Sequence, residues 1–76
     1  MNNYLDVQNF NGMKVFKVFR DADGMFMDAP KYVAFRHNTL CGYYDSQRLA
    51  EQGFLKGDST SVRLENFEGI DARLRR

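Results

Sequence analysis

The chain has 76 residues, with 11 Lys and Arg against 10 Asp and Glu, a formal net charge of +1, and 43% hydrophobic residues. These fractions are ordinary for a soluble globular domain and exclude a disordered tail, and no window approaches the roughly 18 consecutive apolar residues of a membrane-spanning helix. One cysteine and one histidine exclude an intrachain disulfide framework and most zinc frameworks, and the near-neutral charge argues against a generic polyanion binder.

A chain this short buries only about 60% of its unfolded surface, so one domain, residues 1–76, is all that fits, and its stability is marginal. Seven Phe and four Tyr, 14% of the chain, are the densest source of buried area, and most of the Phe are expected in the core. That leaves little material for a deep active site. Such a chain acts through its surface, or assembles into a homo-oligomer to bury more. Met1–Val7 has no basic start followed by an apolar run, so no secretory signal is expected. With the lone Cys41 this gives the expectation of a cytoplasmic protein.

Turn chemistry divides the chain. Asn11-Gly12 suits a type I′ hairpin turn, whose two central residues need positive φ. Before it, Leu5 and Val7 alternate with Asp6 and Gln8, as in a half-buried strand. After it, Met13–Arg20 has apolar spacing that suits helix or strand; its β-branched and aromatic content favours a strand. Asp21-Ala22-Asp23-Gly24 is the next turn. Met25-Phe26-Met27 reads as a short strand or irregular edge ended by Pro30, which cannot donate to a ladder. Lys31–Arg36 reads as a central strand, apolar on both faces, and His37–Gly42 as a loop.

The clearest helix follows, near residues 46–52, with Asp45 as N-cap, Tyr44 and Leu49 as a hydrophobic staple, and Gly53 ending it in a left-handed conformation. About two turns cannot stand alone, so the helix must pack on a sheet. Lys56–Ser59 is a polar turn. Ser61–Glu65 alternates as a strand with one wet face. In Asn66–Arg76, Ile70 and Leu74 are four apart and suit a short docking helix, although Gly69 weakens it. The expected fold is α+β: a small, mainly antiparallel sheet of three to five strands with one or two short helices packed on one face.

Site chemistry is sparse. His37, Cys41 and Asp45 are spaced by four, the residue types of a thiol nucleophile with its base and orienting acid, but Gly42 breaks a helical register; a buried thiol and a surface imidazole are the better reading. Asp21, Asp23 and Asp28 resemble calcium ligands, yet Gly24 falls at the fourth position rather than the sixth, and a turn accounts for them. No glycine-rich phosphate loop and no G-x-S-x-G or H-E-x-x-H motif occurs, so no catalytic residue, metal or cofactor is assigned. Tyr32, Arg36, Tyr43, Tyr44 and Arg48 bring together the residue types enriched at interface hot spots and are the candidate partner-binding patch.

The expectation is a non-enzymatic protein-interaction module, a small inhibitor or adaptor that occludes a surface of a larger protein or nucleoprotein partner. In size and lack of motifs the chain resembles phage-encoded inhibitors of bacterial machinery, anti-CRISPR proteins among them, a likeness carried by no particular residue. The alternative is a small nucleic-acid-binding domain, since Lys31–Arg36 interleaves basic and aromatic residues as single-strand binders do.

Overall fold

The computed structural model describes residues 8–10 and 12–70. Four strands form an antiparallel sheet in the order β1-β2-β3-β4: β1 Gln8–Phe10, β2 Met13–Arg20, β3 Phe26–Arg36 and β4 Thr39–Tyr44. Among the described residues, one helix, α1 (Gln47–Lys56), packs on the sheet, and a single 3₁₀ turn spans Leu64–Asn66. This is a small α+β domain. The expected strand alternation at residues 5–7, and Leu74, lie outside the described residues.

Both faces of the sheet are covered. On one, Met13, Val15, Ala34 and Cys41 pack under Ala50 and Phe54 of α1. On the other, Phe16, Val18, Val33, Phe35 and Leu40 pack under Phe67 and Ile70 of the segment that follows α1. Alternation along a strand sends Val15 and Phe16 to opposite faces, and here both faces are apolar. That is why β2 reads as nearly continuous hydrophobic sequence instead of a clean alternation. Phe35 sits between Phe16 and Phe67 in two edge-to-face contacts, with ring centroids 5.8 and 5.5 Å apart.

Turns follow local chemistry. Phe10 pairs with Met13, so a two-residue loop joins β1 to β2, and Gly12 has φ of 83°. In the β2–β3 turn the Asp21 carboxylate Oδ1 accepts from the N–H groups of Asp23 and Met25, both at 3.0 Å, while Gly24 takes φ of 87°.

Several expectations need correction. His37–Gly42 is not a loop. Arg36 pairs with Thr39, His37 and Asn38 take φ of 47° and 72°, and β4 begins at once. Both central residues are thus left-handed, as a type I′ turn requires; Asn and His adopt that region more readily than most residues. Cys41 is the extra residue of a bulge, because Ala34 pairs with Gly42 and Phe35 with Leu40. Met25–Met27 is not a separate short strand either: β3 runs from Phe26 through Pro30 to Arg36. Pro30 is tolerated because it falls where the β2–β3 register is broken and beyond the last pair with β4, Tyr32 with Tyr44, so no ladder bond needs its missing N–H.

The helix also differs from expectation. It runs from Gln47 to Lys56; Ser46, not Asp45, is the N-cap, its Oγ accepting from the Leu49 N–H at 3.1 Å. Asp45 is instead held by Lys31, whose Nζ donates to its Oδ1 at 2.6 Å. Gly57 ends the helix with φ of 89°, and the Gly57 and Asp58 N–H groups donate to the Phe54 and Gly53 carbonyls. Leu49, the expected staple partner of Tyr44, is exposed. Ser46→Ala is expected to lower stability by about 1 kcal/mol and the thermal midpoint by about 4–8 °C, read in a melting curve. Asp45→Ala, which removes an exposed ion pair, is expected to cost less than about 1 kcal/mol.

Ser61–Glu65 is not a full strand. Thr39 and Arg63 form an isolated bridge, flanked by Leu40 N–H donating to the Val62 carbonyl and Leu64 N–H to the Asn38 carbonyl, each at 2.8 Å. The segment then turns under the sheet instead of extending it. Leu64 and Phe67 drop onto the Phe35 face, and Glu68 N–H donates to the Ala22 carbonyl at 3.0 Å. Gly69 permits that close pass: a Cβ there would meet the Arg20 and Asp21 carbonyl oxygens, the latter at 2.6 Å.

Candidate functional site

The five residues expected to form one patch are divided by the sheet. Tyr32 and Tyr44, a cross-strand pair, pack against the cluster under α1, and the Arg36 guanidinium lies 4.0 Å from the centre of the Phe54 ring. Tyr43, next along β4, faces the other way and meets Phe67, with ring centroids 6.2 Å apart. Arg48 is exposed on α1. Adjacent residues of a strand point to opposite faces, so Tyr43 and Tyr44 cannot share a surface.

Tyr44 is a structural residue. Its hydroxyl donates to Asp58 Oδ2 at 2.8 Å, and its ring occupies the space a side chain at Gly53 would need. Burial pushes its pKa up strongly, and the Asp58 carboxylate, which accepts from the neutral hydroxyl, pushes it further in the same direction.

His37, Cys41 and Asp45 are also dispersed. His37 is exposed in the β3–β4 turn, Cys41 is buried beneath α1, and Asp45 is engaged by Lys31. Burial raises the Cys41 pKa, and the neighbouring Arg36 guanidinium opposes that by charge and by hydrogen bonding. Asp21 spends its Oδ1 on the turn backbone. Among the described residues, no group of three or more His, Cys, Asp or Glu is placed to hold a metal ion.

The exposed apolar material lies elsewhere. Phe16, Phe35, Phe54 and Phe67 are buried as expected, but Phe19 and Phe26 are 49% and 74% exposed, and Met25 is 65% exposed. These three stand at the β2–β3 end, where β3 runs past its last pair with β4. Alternation puts Phe19 on the same side as Lys17, whose ammonium lies 5.8 Å from the ring centre. Phe26 pairs across with Arg20, whose guanidinium lies 4.2 Å from its ring centre. The arm therefore carries an exposed aromatic with a cation resting on it on each side. Leu49 and Leu55 are exposed on α1, but six residues put them about 120° apart around the helix and about 9 Å apart along it, so they form no common patch.

Beside this arm lies a shallow open groove of about 330 Å³ lined by Asp21, Ala22, Asp23, Met27, Lys31 and Tyr43. Tyr43 is its largest wall. Burial raises the Tyr43 pKa, a backbone hydrogen bond from Ala22 lowers it, and the Asp21 and Asp23 charges raise it. Of the residues expected at an interface, Tyr43 is the one that adjoins the exposed arm. Phe19, Met25 and Phe26 were hidden in the sequence because a strand aromatic reads as core until its covering layer is known. Compared with family models, curated proteins and solved structures, the chain matches none of them.

Proposed function

We propose that the protein is a non-enzymatic interaction module, an inhibitor or adaptor that applies its β2–β3 arm to a larger protein partner and occludes that partner's surface. The observation that carries this reading is the exposure of Phe19, Met25 and Phe26 at the β2–β3 hairpin end. In a chain this short, apolar side chains left in water forgo burial of about 1.5–3 kcal/mol each. Apolar exposure on both faces of this hairpin end suits a partner that clasps it, and aromatics beside arginine are residue types used at interface hot spots.

The test is a tagged pull-down from source cells with the intact chain, partners identified by mass spectrometry, against the double variant Phe19→Ser, Phe26→Ser. Phe19 is half exposed and Phe26 largely so, so the variant should keep its circular dichroism spectrum and lose a protein that the parent and Leu55→Ser both retain. Equal recovery by parent and double variant overturns the reading.

A nucleic-acid-binding domain is the second reading, favoured by the paired cations and rings Lys17–Phe19 and Arg20–Phe26. Micromolar binding of a fluorescent single-stranded oligonucleotide, falling steeply with salt, would support it over the first.

A further inference from the structure

The groove beside the arm has a composition of its own. Its lining is mainly apolar, with Met27 and the Tyr43 ring as walls and Asp21 and Asp23 at one rim. The Asp21 carboxylate is fixed in direction, since Oδ1 accepts two backbone N–H groups of its own turn. Lys31 also lines the groove, but its ammonium is bonded to Asp45 at 2.6 Å. Of the lining charges, two carboxylates stand against one ammonium, a net of one negative charge, and that ammonium is engaged by Asp45, outside the lining. The Arg20 guanidinium, the nearest other cation along the chain, rests on Phe26 and is not among the lining residues. Burial is the main cause of the raised Tyr43 pKa, and the Asp21 and Asp23 charges act in the same direction.

We propose that this groove receives an arginine side chain from the partner polypeptide, its stem along Met27 and the Tyr43 ring and its guanidinium toward Asp21 and Asp23. The proposal rests on the protein-interaction reading and names the chemistry of the partner. Arginine fits better than lysine because a planar cation can lie on an aromatic face and bond a carboxylate with two N–H groups at once. An acidic or purely apolar segment would leave the rim carboxylates desolvated without a counter-charge.

The probe is an acetylated, amidated pentapeptide, glycine–leucine–arginine–leucine–glycine, titrated to millimolar concentration into the nitrogen-15-labelled full chain and followed by NMR. The expected result is saturable shifts at Asp21–Gly24, Met27 and Tyr43. They should be lost when citrulline, which has the same shape without the charge, replaces arginine. The double variant Asp21→Asn, Asp23→Asn should bind about tenfold more weakly, the loss expected for a charge-assisted contact. Asparagine keeps an oxygen for the turn backbone, so the fold is retained and the charge alone is removed. Equal binding of the citrulline peptide, equal binding by the variant, or no shifts at these residues overturns the proposal. Shifts of the same residues with protein concentration alone would mean that a second copy fills the groove, and would overturn it too. If the peptide fails while Phe19→Ser, Phe26→Ser still loses its partner, the groove assignment falls and the interaction reading stands.

Discussion

Phe35→Ala is expected to remove a large share of the folding stability and to lower the thermal midpoint steeply. The ring is fully buried and lies between Phe16 and Phe67, joining the central strand to the segment beneath it. Truncating a buried Phe costs about 3–5 kcal/mol, the transfer loss plus the cavity left behind. A domain of this length has roughly 4–11 kcal/mol of stability at ~0.05–0.15 kcal/mol per residue, so a large share is removed. The thermal midpoint should fall by about 12 °C or more, at 4–8 °C per kcal/mol. A melting curve within a few degrees of the parent would show that the Phe67–Ile70 segment contributes little and that the sheet is held by α1 alone. Phe35→Leu, which keeps most of the volume, should recover much of the loss.

Gly53→Ala should invert the usual helix rule. In an exposed helix interior, alanine gains about 1 kcal/mol over glycine. Here a Cβ would lie against Tyr44, inside contact distance of Oη and Cζ and 2.7 Å from Cε1. The Tyr44 ring is not free to yield, since its hydroxyl is tied to Asp58. The substitution is expected to destabilise by about 1–3 kcal/mol, the range for overpacking. A measured gain would mean that α1 does not sit this close to β4. The companion change Tyr44→Leu vacates the space, so Gly53→Ala made in that background should be neutral or stabilising. The double-mutant cycle then reads the coupling between the two positions directly.

Gly53 also shows what a sequence does not disclose. A glycine eight residues past the expected N-cap Asp45 looks like a helix terminus, because left-handed backbone is the commonest reason for glycine at the end of a helix. The structure uses it for close approach instead, and the left-handed residue is Gly57. The partner that decides between these roles, Tyr44, belongs to a different element. Tyr43 and Tyr44 teach the same lesson at the site. They are adjacent in sequence, yet one meets the groove and the other the underside of α1. The expected interface patch had to break along that line once Thr39–Tyr44 was a strand and not a loop.

What the sequence determined by itself was whatever short-range chemistry controls. The Asp21–Gly24 turn follows from an Asp oxygen bonding its own backbone and from glycine at positive φ. The run Met13–Arg20 is extended because branched and aromatic residues crowd a helix. The α+β class follows from these strands and one capped amphipathic segment. Tertiary structure decided everything that depends on a second surface: which face each strand buries, that Pro30 can lie inside β3, that residues 61–70 turn under the sheet, and that Phe19 and Phe26 remain in water while Phe16 and Phe35 do not. A residue's preference for φ and ψ is local and its burial is not, since burial depends on which distant segment arrives to cover it.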